Sequence, residues 1–228
     1  MILQSPAIVL KSFPYGDTSL ISRCLTREMG KISVIVRGAR RKKNPMGAYF
    51  QPMSYLDLMF YYKQTRDLQT VSKASFLELW LNIQNHLKPM AIGLSILEMT
   101  ERAITDHDPH PELFDELVTC LRTLDAQSSP VNIIYWYYEM QLLTHLGFKP
   151  NLSLNDFPGM SLVDPNGGPN SKNILTKLQT SCLSSLPDFI VTQKDKTIVS
   201  QYLLAQIYYH FEGIKSLKSL DVLKEILS

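Results

Sequence analysis

At about residue 76 the spacing of the apolar side chains changes, and that change restricts the chain to a small set of folds. Before it, apolar and polar residues alternate in short runs. After it, apolar residues recur every three to four positions. Alternation buries one face of a strand, whereas the longer spacing buries one stripe of a helix. A chain that does first one and then the other is α+β, with strands and helices segregated along the sequence. The strand-like runs are Ala7–Lys11, Ser19–Leu25, Lys31–Arg37, Ser54–Tyr62 and Gln69–Ala74. Between them stand Phe13-Pro14-Tyr15-Gly16-Asp17, Met29-Gly30, Asn44-Pro45-Met46-Gly47 and Thr65-Arg66-Asp67, which carry turn chemistry. Five short strands in about 75 residues specify a small barrel or sandwich, and the five-stranded oligonucleotide-binding barrel (OB-fold) is the first candidate. The expected organisation is multidomain: an OB-fold barrel over residues 1–76, then an α-helical bundle domain over 77–228.

The helical part punctuates itself. Residues 89–105 form one helix, with Pro89 in its first turn. Asp108-Pro109-His110-Pro111-Glu112 opens a second, whose face is Leu113, Phe114, Leu117, Val118, Leu121 and Leu124. Residues 131–146 are apolar nearly all round, which places that helix inside the bundle and reads Tyr135–Tyr138 as core. It stops at Gly147, with Pro150 beyond. Residues 150–173 are loop-rich, an ordered excursion or a flexible insert. Two or three further helices close the chain, the last one amphipathic over 214–227.

Charge is unevenly shared. Residues 1–75 hold 12 Lys and Arg against 4 Asp and Glu, and the remainder holds 11 against 17. Two regions of opposite sign point to two domains with different partners. The basic charge is concentrated at Lys31, Arg37, Arg40, Arg41, Lys42 and Lys43, on a strand and the loop that leaves it. Such a surface suits a polyanion, of which nucleic acid is the commonest; the competing reading is a solvated loop. Lys63 and Arg66 extend the track. Tyr49, Phe50, Tyr55, Tyr61 and Tyr62 are candidate platforms for stacked bases, with Tyr61 and Tyr49 ahead of Phe60, which sits on the apolar face; the competing reading is that aromatics at strand spacing are core.

Cys24, Cys120 and Cys182 are too few and too scattered for a disulfide framework, which fits a reducing compartment. Neither a signal peptide nor a membrane-spanning run is read in the sequence, so a cytoplasmic protein is expected. Catalysis needs a constellation that is missing here: there is no phosphate-binding Gly-rich loop, no Gly-x-Ser-x-Gly elbow, and the acidic residues of the basic half, Asp17, Glu28, Asp57 and Asp67, are scattered. No enzyme and no cofactor are expected. His107 and His110 with their flanking aspartates read as a solvated turn, and His145 as a hydrogen-bonded histidine.

In order, Tyr15-Gly16-Asp17, Thr26-Arg27-Glu28-Met29-Gly30-Lys31, Arg37-Gly38-Ala39-Arg40, Gln51-Pro52 and Leu146-Gly147-Phe148-Lys149-Pro150 resemble the RecO family of bacterial recombination mediators and DNA-repair proteins, over nearly the whole chain. The resemblance implies an N-terminal OB-fold and a helical domain. It implies binding of single- and double-stranded DNA, strand annealing, and partnership with RecR. With RecR, such proteins load RecA onto strands coated by single-stranded DNA-binding protein, in a bacterial, nucleoid-associated setting. It also implies that the Thr-Arg-Glu-x-Gly-Lys and Gly-Ala-Arg stretches contribute to the DNA-binding face. Many relatives carry a four-cysteine zinc motif after the Leu-Gly-Phe-x-Pro turn. Residues 151–173 hold neither Cys nor His, so no zinc is expected. Two other readings stay open: a protein-interaction scaffold with incidental nucleic-acid binding, and a nuclease.

Overall fold

In the computed structural model, which describes residues 1–153, 156–157 and 160–214, five strands close into a barrel. They are β1 (Ile2–Tyr15), β2 (Ser19–Thr26), β3 (Gly30–Val36), β4 (Tyr55–Tyr61) and β5 (Leu68–Glu78), in the order β1-β2-β3-β5-β4. β1 is long enough to pair with β4 through its first half and with β2 through its second. Parallel pairing of Ser33–Ile35 with Leu68–Thr70 shuts the barrel and leaves no open edge. The inward set is the alternating one: Ala7, Val9, Cys24, Ile32, Val34, Val36, Leu56, Leu58 and Phe60. A one-turn helix, α1 (Met46–Tyr49), and the adjoining Phe50 pack against that core. α1 is too short to leave a periodic signal.

The barrel with helices after it is the expected α+β architecture, but the first turn is shorter than expected. Phe13, Pro14 and Tyr15 are strand, paired with Ile21, Leu20 and Ser19, so the turn begins only at Gly16. A bulge at Leu10, between the Val9–Cys24 and Lys11–Arg23 pairs, resets which residues face outward.

The change from strand to helix falls after Glu78, and the compact unit that contains the barrel extends to Ala126. It includes α2 (Leu81–Asn85), α3 (Leu87–Ala103) and α4 (Pro111–Ala126). The Asp125 carboxylate caps α2, accepting from Asn82 N at 2.8 Å and Ile83 N at 3.0 Å. Trp80 donates to Met53 O at 2.8 Å and stacks with Tyr55, joining strand to helix.

A second unit begins at Gln127. Its central helix, α5 (Val131–His145), is buried on every side from Ile133 to Leu143, as an all-round apolar helix must be. It ends at Gly147, whose φ of +87° makes the C-terminal turn. Of the loop-rich stretch, Asp156–Phe157 and Met160–Ser161 pair as β6 and β7. Then follow α6 (Ser171–Thr180) and α7 (Gln193–His210). Asp195, in the capping box of α7 with Thr192, also accepts from Asn170 N at 2.8 Å and so ties the end of the loop to the helix. The Pro158-Gly159 turn and the amphipathic pattern beyond Ile214 lie outside the described residues.

Candidate nucleic-acid interface

The outward face of the barrel is organised by strand register. Phe13 pairs with Ile21, Ile21 with Ile35, Ile35 with Thr70, and Thr70 with Tyr61. These residues form one row across the strands, and none of them belongs to the barrel core. Phe13 is 42% exposed and Tyr61 52%. Tyr15, two residues beyond Phe13 on the same face, is 51% exposed. Arg37 leaves β3 two residues after Ile35, also on that face, and is exposed.

Two basic loops border the row. One, residues 37–45, follows β3. It is held in shape: Gly38 has φ of +69°, the Asn44 side-chain amide donates to Gly38 O at 3.0 Å, and Asn44 Oδ1 accepts from Met46 N. Ala39 is buried and anchors the arch to the barrel. Arg40 N donates to Thr18 O at 2.8 Å and its guanidinium to Gly16 O at 3.0 Å, fastening the loop to the β1–β2 turn. The other loop, residues 62–67, joins β4 to β5. Buried Gln69 holds it, accepting from Lys63 N and donating to the carbonyls of Lys63 and Arg66. The side chains of Arg37, Arg41, Lys42, Lys43, Lys63 and Arg66 are exposed and make no ion pair among the described residues. Fixed loops that carry unneutralised cations present charge without having to be ordered by a ligand first.

The Thr26-Arg27-Glu28-Met29-Gly30-Lys31 stretch is engaged differently. Arg27 forms a two-pronged pair with Asp115 of α4, both bonds 2.9 Å. That pairing raises the guanidinium pKa. Lys31 is 5% exposed. Its ammonium donates to Glu101 O at 2.5 Å and lies 3.4 Å from Asp106 Oδ1. Burial lowers its pKa. Arg23 donates to both Asp106 oxygens, and Lys11 lies 3.0 Å from Glu101 Oε1. Burial pushes the Asp106 carboxyl up, and the Arg23 and Lys31 charges more than offset this, so its pKa falls below the ordinary value. Gly30, with φ of +66°, lets the backbone of Asp108 press against it; a Cβ there would sit 2.2 Å from Asp108 O. His107 N completes the junction by donating to Lys31 O at 2.9 Å. The stretch therefore docks the end of α3 and the start of α4 on the outer face of β1–β3. The charge of Lys31 is met by protein inside the junction, and that of Arg27 by the partly exposed Asp115 carboxylate.

Of the two candidate stacking residues, Tyr61 is presented outward, while Tyr49 packs against the barrel core with its ring 4.7 Å from that of Phe76. Phe13 and, two residues further on, Tyr15 are exposed aromatics on this outward face, in a stretch that reads in sequence as a turn. The alternation Lys11-x-Phe13-x-Tyr15 is the signal of an outward strand face; Pro14 and Gly16 obscured it. Among the described residues no three His, Cys, Asp or Glu side chains converge as metal ligands, and no helix is long and apolar enough to cross a membrane. Cys24 and Cys120 are buried, and desolvation raises the Cys24 thiol to about 12.

Residues 1–80 match the family model described as recombination protein O, N-terminal, and residues 84–188 match the corresponding C-terminal model. The DNA repair protein RecO of Salinibacter ruber is 36% identical over 149 residues, 65% of this chain and 57% of that protein. RecO of Bacillus pumilus is 32% identical over 152 residues, 67% of this chain and 58% of that one. The chain thus aligns with under two thirds of the length of these relatives. RecO of Flavobacterium johnsoniae is 29% identical over 238 residues and is matched from end to end, as is this chain. Barrel, following helices and these matches agree, and the chain belongs to the RecO family.

Proposed function

We propose that this protein is a DNA-binding recombination mediator in DNA repair. It binds single- and double-stranded DNA through the barrel, anneals complementary strands, and acts with RecR to help place RecA on strands covered by single-stranded DNA-binding protein. The observation that carries the reading is the pair of stapled loops, 37–45 and 62–67, with their unneutralised Arg and Lys side chains beside one exposed barrel face. Phosphate neutralisation by such cations releases counterions and needs no base sequence. Annealing requires no bond to be made or broken: cations that screen two backbones and let go quickly are enough. The proposed contacts are Arg37, Arg40, Arg41, Lys42, Lys43, Lys63, Arg66 and Tyr61. Arg27, Lys31 and Tyr49 are left out, because the first two are paired with acidic residues or a carbonyl of α3, α4 and their linker, and the third packs against the barrel core.

The test is annealing of two complementary labelled strands by wild type and by an Arg40→Glu, Arg41→Glu variant. Wild type accelerates annealing and the variant does not. Equal rates would contradict the reading and favour a protein-interaction scaffold. Magnesium-dependent degradation of the labelled strands would instead reveal a nuclease.

A further inference from the structure

We infer that the second unit carries a small-ligand pocket, between the turn after α5 and the last turns of α7, that takes one nucleoside monophosphate unit, free or at the end of a strand. All its residues belong to that unit and none to the basic loops, so it is a site of its own. Gly147, at φ of +87°, turns the chain out of α5, and Phe148 N closes the turn by donating to Leu143 O at 2.7 Å. The turn brings the Phe148 ring against α7, where it stacks on His210 with centroids 4.3 Å apart and meets Phe211 edge-on at 5.4 Å. Between the turn and α7 lies a cavity of about 240 Å³, open on one side and lined by Phe148, Lys149, Asn151, Gln206 and His210 among others.

Three features of the cavity decide what fits. The Gln206 side chain is 1% exposed, and its Oε1 has no hydrogen-bond partner among the described residues. Neighbouring groups fix which way its amide points. Asn151 O accepts from the Tyr202 hydroxyl at 3.4 Å, and a carbonyl can only accept. Tyr202 is also hydrogen-bonded to the Gln206 side chain. With its hydrogen committed to Asn151, the hydroxyl accepts from Gln206 Nε2, and the end of the amide left over is an acceptor. A buried acceptor without a donor is costly, so the cavity calls for a ligand with an N–H or O–H. Next, Phe148 offers a flat wall: it is 38% exposed, with His210 behind it. Burial lowers the His210 pKa, so near neutral pH that backing is uncharged. Finally, Lys149 is exposed and makes no ion pair among the described residues. A flat ring with a donor on its edge, joined to an anion, satisfies all three, and a nucleotide has those parts. Its base stacks on Phe148, an exocyclic amine donates to Gln206 Oε1, and its phosphate meets Lys149. The cavity is smaller than the roughly 300–1,000 Å³ of sites for drug-sized ligands, which suits one nucleotide and not a length of strand.

The experiment is calorimetric titration of the full chain with three probes: deoxyadenosine monophosphate, the same nucleotide without its exocyclic amine, and a trinucleotide that begins with the 5′-phosphorylated deoxyadenosine. Wild type is expected to bind the first about tenfold more tightly than the second. Gln206→Met is expected to erase that difference. Lys149→Ala, a surface change that leaves the cavity walls in place, is expected to weaken both mononucleotides alike and keeps the test open if the Gln206 variant does not fold. The Arg41→Glu, Lys43→Glu variant is expected to bind the mononucleotides as wild type does, which separates this site from the basic loops. In that background, a trinucleotide that binds as well as the mononucleotide assigns the pocket to strand ends, and one that binds about tenfold more weakly assigns it to the free nucleotide. Wild type that fails to bind deoxyadenosine monophosphate, or binds it no better than the analogue without the amine, would overturn the assignment. So would binding that neither Gln206→Met nor Lys149→Ala changes.

Discussion

Glu139 lies in the middle of α5, 2% exposed, and its Oε2 meets no hydrogen-bond donor among the described residues. Burial alone raises its pKa well above the carboxylate range. A carboxyl raised in this way stabilises the fold fully below its unfolded value of about 4.3, and that contribution is lost as the pH climbs toward the folded value. Above about pH 4.3 the unfolded chain holds this group charged and hydrated, and folding must discharge it. Replacing the ionisable group with an amide of the same shape removes that penalty. Glu139→Gln is therefore expected to gain stability relative to wild type as the pH rises from 4 to 8, read as the difference in urea midpoints. Parallel pH profiles for the two proteins would show that Glu139 does not titrate between the folded and unfolded states. The same scale explains where the sequence reading of the site departed from the structure. A cation in a sequence looks alike whether it will face water or a carboxylate. Arg27 and Lys31 read as phosphate contacts because their partners, Asp115, Asp106 and the Glu101 carbonyl, stand 70 to 88 residues away.

At the scale of elements, the β2–β3 turn is a joint. Its glycine is required twice over, by a φ of +66° and by the Asp108 backbone seated where a side chain would begin. Gly30→Ala is expected to destabilise the barrel-containing unit by roughly 1–3 kcal/mol, the usual range for forced backbone strain, while leaving the salt dependence of DNA binding unchanged. Urea denaturation followed by circular dichroism measures the first and a binding titration the second. An unchanged midpoint would mean that the α3–α4 connection does not press on the turn in solution. The ion pairs around the joint contribute less than their number suggests, because Arg27, Asp106 and Asp115 remain partly exposed and exposed pairs are worth about 0.2–1 kcal/mol each. Elements were also the most legible level in the sequence. Short apolar or alternating runs between turn residues located all five strands, three-to-four spacing located α4, an all-round apolar run closed by a glycine located α5, and the helical stretch entered at Pro89 located α3, since each signal is local. Barrel closure through β3 and β5, the α1 packing and the Leu10 bulge depend on contacts distant in sequence and left no such trace.

For the whole molecule, the formal charge of +2 hides a barrel half with a large excess of Lys and Arg and a helical half with an excess of Asp and Glu. Part of that opposition is consumed internally, at the joint between barrel and helices. The remainder, on the 37–45 and 62–67 loops, is what the DNA-binding account depends on. Its most direct test is a salt titration of binding to a short labelled single strand, with wild type beside an Arg41→Glu, Lys43→Glu variant that spares the Arg40 anchor to the β1–β2 turn. If four to six phosphates are neutralised, log affinity falls against log salt with a slope of roughly −3 to −4 for wild type. The variant is expected to bind more weakly at every salt concentration and with a shallower slope. A wild-type slope near zero, or a variant indistinguishable from wild type, would contradict the account and reduce the basic loops to solvated surface.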